Sequence, residues 1–266
     1  MNSTSLAGPG ASQRTLWTAL ALPLLLLLAW QLWAFTLPPD TRAPYPSKVL
    51  STFGALLASG ELPTALLQSL GRVLAGFACA LLLGGTLGVL MGSSRTLRNN
   101  LDPLIESFRP IAPMAVLPVA ILWFGTGTPA ALAIVTYGAF FPLLVNTIHG
   151  VSHVERRLLQ AAQTMGLSRP AILRHVLLPA ALPSVLLGAR LAMGVAWTTI
   201  ITAELAVGAK AGGGTSGGIG QMMFVYYAYS VDLNAIVVCM IVVGIVALAI
   251  DRLFRAVERR LLPWKA

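Results

Sequence analysis

Long apolar stretches alternate with short polar ones along the whole chain. Each stretch holds about 20 residues, which at a rise of about 1.5 Å per residue crosses the roughly 30 Å hydrocarbon core of a bilayer. The stretches are Thr15–Leu37, Ser69–Met91, Leu101–Phe124, Ala130–Ile148, Ser184–Val207 and Leu233–Ala256. The pattern predicts an all-α fold of six transmembrane helices, with residues 1–14 as a disordered tail and residues 15–266 as one membrane domain.

The third stretch is interrupted by four prolines, Pro103, Pro110, Pro113 and Pro118. Proline removes a backbone N–H and breaks the helical ladder, which is tolerated at membrane depth only where the backbone is buried in protein or lines a wet cavity. We therefore expect this stretch, from Arg109 to Pro118, to lie beside a path through the membrane.

Two further patterns bear on how the helices pack. Glycines recur every four residues from Gly84 to Gly92, which either lets a second helix approach closely or arises by chance in a glycine-rich chain. Between the first two stretches, Val49, Phe53 and Leu56 fall on one helical face. This spacing predicts a short amphipathic helix along the membrane surface.

The composition is that of an integral membrane protein. Apolar residues make up 56% of the chain and charged residues 10%, whereas soluble domains are about a quarter charged. The net charge of +9 does not indicate nucleic-acid binding, because the basic residues lie in short loops and form no face interleaved with aromatics. Cys79 and Cys239 both lie inside apolar stretches, so neither a disulfide framework nor a metal site is indicated.

The distribution of Lys and Arg predicts the orientation in the membrane. If the N-terminus is cytoplasmic, only Arg42, Lys48 and Lys210 lie in outside loops. The inside segments then hold Arg14, Arg95, Arg98, Arg156, Arg157, Arg169, Arg174, Arg252, Arg255, Arg259, Arg260 and Lys265. The positive-inside rule favours this orientation, with both termini in the cytoplasm.

The polar interruption Val151–Pro183 then also lies in the cytoplasm. It is too polar to cross a bilayer, yet it keeps apolar residues at helical spacing, which predicts two short surface helices joined by a turn. Gly166 is expected to end the first helix in a left-handed conformation. Ser168 and Pro170 are expected at the N-cap and the first turn of the second.

Few residues of the spans suggest chemistry. His149 and His153 have a spacing that can bind a metal, but the residues between them lack the Glu of the H-E-x-x-H pattern, so a helix end at the cytoplasmic surface is the favoured interpretation. Only Glu204 qualifies as a carboxylate for proton-driven transport, and it either marks a functional site or reaches the headgroups from near a helix end. The energy for transport is therefore expected to come from another subunit.

The polar interruption also resembles a known motif. Ala161-Ala162, Gly166 and Leu178-Pro179 match the EAA loop of permease subunits in bacterial ABC importers, with Gln160 in place of Glu and Val176 in place of Ile. The wider chain is similar to the branch that imports nitrate, sulfonates and taurine. This similarity is carried by Pro46–Leu50, Ser69–Phe77, Phe108–Pro113, Ile121–Gly125, Phe141-Pro142, Asn146-Thr147 and Ala203-Glu204.

The resemblance implies the type I ABC importer permease fold and a multi-pass protein of the bacterial inner membrane. It implies a homodimer, although a paralogous partner stays open, together with two cytoplasmic ATPase subunits and a periplasmic or lipid-anchored binding protein. The chain itself is expected to be no enzyme and to bind no cofactor or metal, since ATP and Mg²⁺ are held by the ATPase. The implied ATPase-coupling residues are Gln160, Ala161, Ala162, Gly166, Ser168, Arg169, Arg174, Leu178 and Pro179, and those of the translocation path are Arg109, Pro113, Pro118, Trp197 and Glu204.

The substrate implied by the resemblance is a small anion, with a sulfonate such as taurine or an alkanesulfonate favoured and nitrate or bicarbonate as the alternative. The glycine-rich segment Gly208–Gly220 is longer than the family pattern, which leaves the substrate open. Two other classes are distinguishable by experiment. A secondary transporter would work without ATPase subunits, and a membrane enzyme would turn over a substrate in detergent.

Overall fold

The structure, a computed structural model, describes residues 10–36, 38, 43–207 and 217–262. None of these residues forms a strand. The helices are α1 (Gly10–Phe35), α2 (Pro46–Ala58), α3 (Glu61–Ser93), α4 (Arg95–Phe108), α5 (Pro113–Phe124), α6 (Thr128–Ser152), α7 (Arg156–Thr164), α8 (Arg169–Ile172), α9 (Leu178–Val207), α10 (Ile219–Val225) and α11 (Leu233–Leu261). A π-helical turn, Leu173–Leu177, joins α8 to α9, and a second one, Tyr226–Ser230, follows α10.

The predicted all-α membrane fold is confirmed, but the count of six spans is only approached. Among the described residues, α3, α6, the joined α8–α9 and α11 are long and apolar enough to cross a bilayer. Helices α4 and α5 meet at a bend of 94°, and they add a fifth span if the pair is taken as one broken span and not as a re-entrant loop. The described apolar part of α1, Ala21–Phe35, is shorter than a full span.

The centre of the fold is the packing of α3, α6 and α9. Most of their buried side chains are small or branched, such as Val73 and Ala80 on α3, Val135 on α6, and Ala192 and Ala196 on α9. Small residues allow the backbones to approach closely, and in lipid this close packing is a main source of attraction between helices. The three helices therefore form the frame on which the remaining elements are placed.

The glycines of α3 form a packing seam against α6, so of the two interpretations left open the seam is the right one. A Cβ atom at Gly88 would lie 2.6 Å from Cβ of Thr147, and one at Gly92 would lie 2.6 Å from Cβ of Val151. Gly76, one turn before Ala80, meets Val135 in the same way, with a Cβ–Cγ1 distance of 2.6 Å. Such distances are too short for any real Cβ, so only glycine fits here.

The amphipathic helix is found as α2. Val49 and Leu56 are buried against apolar residues of α3 and α11, and Phe53 packs at the edge of the same cluster. The helix and its apolar face are as predicted, and its place along the membrane surface stays a prediction.

Two local predictions are wrong. The expected loop Ser93–Asn100 is mostly helix, because Ser94 accepts a hydrogen bond from the Leu97 N–H at 3.4 Å and starts α4 directly. The second surface helix is not separate, since α8 continues through the π turn into α9. Pro179 has no N–H, so the ladder is already interrupted there, and the π turn carries the chain on without a break.

The segment before the last span contains α10 and a π turn, for which the sequence pattern predicted no structure. Three other expectations lie outside the described residues: the disordered tail before Gly10, most of the glycine-rich segment, and the basic end at residues 263–266.

The glycine seam predicts a sharp contrast between neighbouring substitutions on α3. Gly88→Ala places a methyl group against Thr147, and overpacking of this kind costs about 1–3 kcal/mol. Gly85→Ala is the matched control, because no atom lies within 4 Å of its Cβ position. We expect the thermal midpoint of the detergent-purified protein to fall for the first variant only. Equal midpoints would show that the seam has no energetic role.

Candidate functional site

The turn between α7 and α8 is closed by the backbone of Gly166. Gly166 has a φ of +74°, and its N–H donates to the Gln163 carbonyl at 2.9 Å. The Leu167 N–H donates to the Ala162 carbonyl at 3.2 Å. This pair of hydrogen bonds defines a Schellman motif, which ends α7 as predicted and turns the chain sharply into α8.

The residues of the predicted coupling loop point in two directions. Ala162 is only 1% exposed and packs α7 onto the body of the protein. The other residues, Gln160, Ala161, Gly166, Ser168, Arg169, Arg174, Leu178 and Pro179, are exposed. Ser168 occupies the N-cap of α8, but its hydroxyl makes no capping hydrogen bond. Its contribution to the helix start is therefore its extended backbone conformation. The loop therefore presents one continuous outer surface. Ala161 contributes a small exposed side chain to this surface, and the buried Ala162 holds the helix beneath it against the body of the protein.

This surface is strongly basic. The range Val151–Pro183, all of which the structure describes, contains four arginines and one glutamate. None of these arginines has an ion-pair partner among the described residues. Unpaired guanidinium groups on an exposed helix end are available to acidic groups of another protein.

A cavity of about 330 Å³ opens where the third span breaks between α4 and α5. Arg109 and Pro113 line it, and Pro118 lies exposed elsewhere on α5. The remaining wall consists of Ile111, Tyr137, Gly138, Phe141, Pro142, Val145, Asn146, Leu191 and Val195. The structure thus brings the break, the middle of α6 and the middle of α9 to one place.

The phenol of Tyr137 replaces the hydrogen bonds that the break removes. Its hydroxyl is 2.8 Å from the Phe108 carbonyl and 3.3 Å from the Ile111 carbonyl. Backbone carbonyls without partners are costly at membrane depth, so this side chain makes the bend tolerable.

Trp197 and Glu204 lie inside the helix bundle and do not line this cavity. Trp197 is 3% exposed, and its Nε1–H donates to the Val243 carbonyl of α11 at 3.2 Å. Glu204 lies further along α9 and faces α3 and α10. Their predicted place on the translocation path receives no support from the cavity.

Glu204 is the centre of a buried polar network. It is 4% exposed and accepts hydrogen bonds from Ser69 Oγ at 2.8 Å, Arg72 Nη1 at 2.8 Å and the Gly220 N–H at 3.0 Å. Ser69 Oγ in turn accepts from the Ile219 N–H at 2.9 Å. A carboxylate buried in this way does not reach the headgroups, and it fastens the start of α10 to α3 and α9.

A second contact holds the other end of α10, and sequence reasoning missed it. The Tyr226 hydroxyl donates to Glu61 Oε2 at 3.0 Å. Burial raises the pKa of Tyr226 above its ordinary value, and the neighbouring Glu61 carboxylate acts in the same direction. The phenol is therefore protonated and able to donate at neutral pH.

Sequence reasoning also passed over Asp251, which lies within the sixth predicted span. Arg190 of α9 donates from Nε to Asp251 Oδ1 at 2.7 Å, and Arg255 pairs with the other carboxylate oxygen. The sequence contains a signal for this pair, because an acidic and a basic residue in two different apolar stretches are expected to form an ion pair with each other.

The described residues contain no group of three or more His, Cys, Asp or Glu that is suited to a metal ion. The rings of His149 and His153 stack with centroids 4.1 Å apart, and His153 Nδ1 donates to the His149 carbonyl at 2.9 Å. Stacked rings do not converge on one ion. The pair forms the end of α6.

Comparison with known proteins gives a consistent result. The family model for binding-protein-dependent transport system inner membrane components matches residues 80–263. A putative ABC transporter permease of Methanocaldococcus jannaschii is 36% identical, covering 92% of this chain and 91% of its own. The putative aliphatic sulfonates transport permease of Bacillus subtilis is 33% identical, covering 97% and 91%. The taurine transport system permease of Escherichia coli is 34% identical, covering 91% and 87%.

Among solved structures, a chain of the MetNI methionine ABC transporter in an inward-facing conformation has a TM-score of 0.65. It is 19% identical, and the match covers 76% of this chain and 96% of that chain. At this identity the likeness concerns the fold.

The Glu204 network predicts a large loss of stability when its charge is removed. Glu204→Gln leaves Arg72 buried without a counter-charge, and breaking a buried pair in this way costs about 3–5 kcal/mol. The control is Asp102→Asn in the exposed pair with Arg98, where the expected loss is about 0–1 kcal/mol. The free energy of unfolding in mixed micelles measures both.

A double variant tests the cause of this loss. Arg72→Gln combined with Glu204→Gln removes both charges, so it should recover part of the stability. A double variant as unstable as the sum of the two single ones would mean that the charges do not interact.

Proposed function

Because the chain belongs to the family of binding-protein-dependent transport system inner membrane components, we propose that it forms the membrane path of an ATP-driven importer for a small anion. The chain is an ABC importer permease, and members of its family work with a separate ATPase and a substrate-binding protein. The proposal concerns its substrate, its partners' contact sites and its orientation.

The observation that carries the coupling part of the proposal is the exposed basic turn around Gly166. The turn combines the EAA-like sequence with a geometry in which Ala161, Arg169 and Arg174 face outward. Small and basic residues at a helix end suit close docking against an acidic crevice of the ATPase, where charge complementarity sets the orientation. In this proposal Gln160, Ser168, Leu178 and Pro179 border the same contact.

The joined helix from α8 to α9 gives this contact a mechanical consequence. It runs from Arg169 to Ala206 over 38 residues, which is roughly 55 Å at about 1.5 Å per residue. Its cytoplasmic end would be moved by the ATPase pair, and its other end carries Glu204, which holds α10. ATP-driven closure of the ATPases would thus shift the permease between inward- and outward-facing states, with rigid helices as the moving parts.

The proposed orientation places both termini and the α7–α8 turn in the cytoplasm of the cell, with the protein in the inner membrane. It is supported by the excess of Lys and Arg on that side. We propose a homodimer, so that two copies of the turn meet two ATPase subunits. The chain itself would hold no nucleotide, since ATP and Mg²⁺ would be bound by the ATPase.

The substrate we favour is a sulfonate such as taurine or an alkanesulfonate, because relatives with these names cover most of the chain. Nitrate or bicarbonate is the alternative within the branch. A secondary transporter that works without an ATPase is the rival of a different class.

The substrate class predicts a simple uptake pattern. Vesicles that contain the permease, its ATPase and its binding protein should take up taurine or ethanesulfonate when ATP is present, and a neutral sugar at least about tenfold more slowly, since one charged hydrogen bond discriminates by that factor. Radiolabelled uptake with and without ATP measures this. Uptake that needs no ATPase would contradict the importer, and preferential uptake of the sugar would contradict the anion.

The coupling contact predicts an effect of Gly166→Leu that exceeds its backbone strain. A residue larger than glycine at positive φ costs about 1 kcal/mol, and here it also adds bulk where the ATPase should dock. Arg174→Glu should act through charge. We expect both variants to lower ATPase binding to inside-out vesicles, ATP hydrolysis and uptake together, by about tenfold or more for the reversed charge.

Gly60→Leu is the matched control for the backbone strain that a leucine at positive φ introduces. Gly60 has a φ of +77° and, like Gly166, no atom within 4 Å of its Cβ position, but it lies at the opposite end of α3 from the cytoplasmic turn. If Gly60→Leu lowers coupling as much as Gly166→Leu, strain alone explains the result and the docking role is lost. ATPase binding to right-side-out vesicles would contradict the orientation.

A further inference from the structure

Five arginines lie within the predicted spans: Arg72, Arg109, Arg190, Arg252 and Arg255. Three of them have an acidic partner, Arg72 with Glu204, and Arg190 and Arg255 with Asp251. Arg109 and Arg252 have neither an ion pair nor a side-chain hydrogen bond within the described part of the chain. Arg252 lies four residues from the end of the sixth stretch, where a long side chain reaches the cytoplasmic headgroups, whereas Arg109 lies eight residues inside the third stretch.

Arg109 lies at membrane depth. The α6 residues that share its cavity run from Tyr137 to Asn146, which are fifteen and six residues before the end of α6 at Ser152. At about 1.5 Å per residue the cavity is therefore about 9–23 Å from that end. An ionised side chain at this depth is costly unless it meets a counter-charge or a water-filled path, so an intramembrane arginine without a partner indicates a functional site.

None of the described acidic residues forms an ion pair with Arg109. Glu106 precedes it by three residues on α4, which is a spacing that permits a pair, yet the two side chains form none. Glu204 and Asp251 are each occupied by other arginines. At this depth Arg109 therefore depends on water or on a counter-charge from outside the described residues.

Among the residues that line the cavity, Arg109 is the charged hydrogen-bond donor, and its side chain makes no hydrogen bond to the described residues. Tyr137 already donates to the Phe108 carbonyl, and the Asn146 amide donates to the Pro142 carbonyl at 2.7 Å. The other lining residues are apolar or glycine. The N-terminus of α5, at Pro113, borders the same space and adds partial positive charge from its backbone dipoles. A guanidinium group in these surroundings matches the paired oxygens of an oxyanion.

We propose that Arg109 binds the oxyanion group of the substrate during its passage, as a transient site inside the membrane path. This rests on the proposed function and adds to it a contact in the permease itself, separate from the binding protein's own site. The cavity of about 330 Å³ accommodates a sulfonate or nitrate group beside the guanidinium. Neutral solutes gain nothing from the contact, so the site favours anions within the path.

The test uses the reconstituted complex of permease, ATPase and binding protein with taurine, ethanesulfonate or nitrate as the probe. Arg109→Gln should lower the uptake rate about tenfold or more, while ATP hydrolysis stimulated by the loaded binding protein persists, so that uptake per ATP falls. Arg109→Lys keeps the charge and should restore most of the uptake. Arg252→Gln, an exposed arginine of α11 without an ion pair, is the control and should behave as the wild type.

The outcomes separate this inference from the proposed function. If the wild-type complex imports none of the anions, the proposed function fails whatever Arg109 does. If the wild type imports them and Arg109→Gln imports them equally well, the transient site is excluded. Rescue of Arg109→Gln by Glu106→Gln would show that Arg109 only neutralises Glu106. Failure of both the Gln and Lys variants to assemble would show that Arg109 has a structural role. Each of these last two results would overturn the inference.

Discussion

Hydrocarbon offers no hydrogen bonds, and this constraint accounts for most of the polar contacts in the structure. Every polar group that enters the apolar layer must find its partner within the protein. Glu204 collects three donors, Asp251 meets two arginines, and the Tyr137 hydroxyl replaces the bonds lost at the break between α4 and α5. Apart from the Asp251–Arg255 pair within α11, each contact joins different elements of the chain, so satisfying the constraint also fixes the tertiary structure.

The same constraint distinguishes structural polar groups from functional ones. A charge whose partner lies within the fold is part of the scaffold, as Arg72 and Glu204 show. A charge at membrane depth without such a partner depends on water or on a ligand, and Arg109 is in that position. In the proposed membrane path, the prolines that break the third span and the arginine beside them share one physical explanation, a water-filled passage at this place.

The spans, the amphipathic helix and the glycine turn were predictable because each leaves a local pattern in the sequence. Hydrophobic length, the face of Val49 and Leu56, and the need for positive φ at Gly166 all act within one or two turns of helix. The joined α8–α9 helix was not predictable, because Pro179 reads as a break and the π turn that bypasses it leaves no clear signal. The two side chains that bind Glu204, those of Ser69 and Arg72, come from positions more than 130 residues away, and pairing at that distance is a property of the fold.

The glycine seam also limits how α3 and α6 can move against each other. Side chains of α6 occupy the spaces above Gly76, Gly88 and Gly92, so the two helices interdigitate along this face. A sliding step shorter than one helical turn, about 5.4 Å, would drive Val135, Thr147 and Val151 into the backbone of α3. The pair is therefore locked against small shear, and a conformational change moves α3 and α6 together as one body.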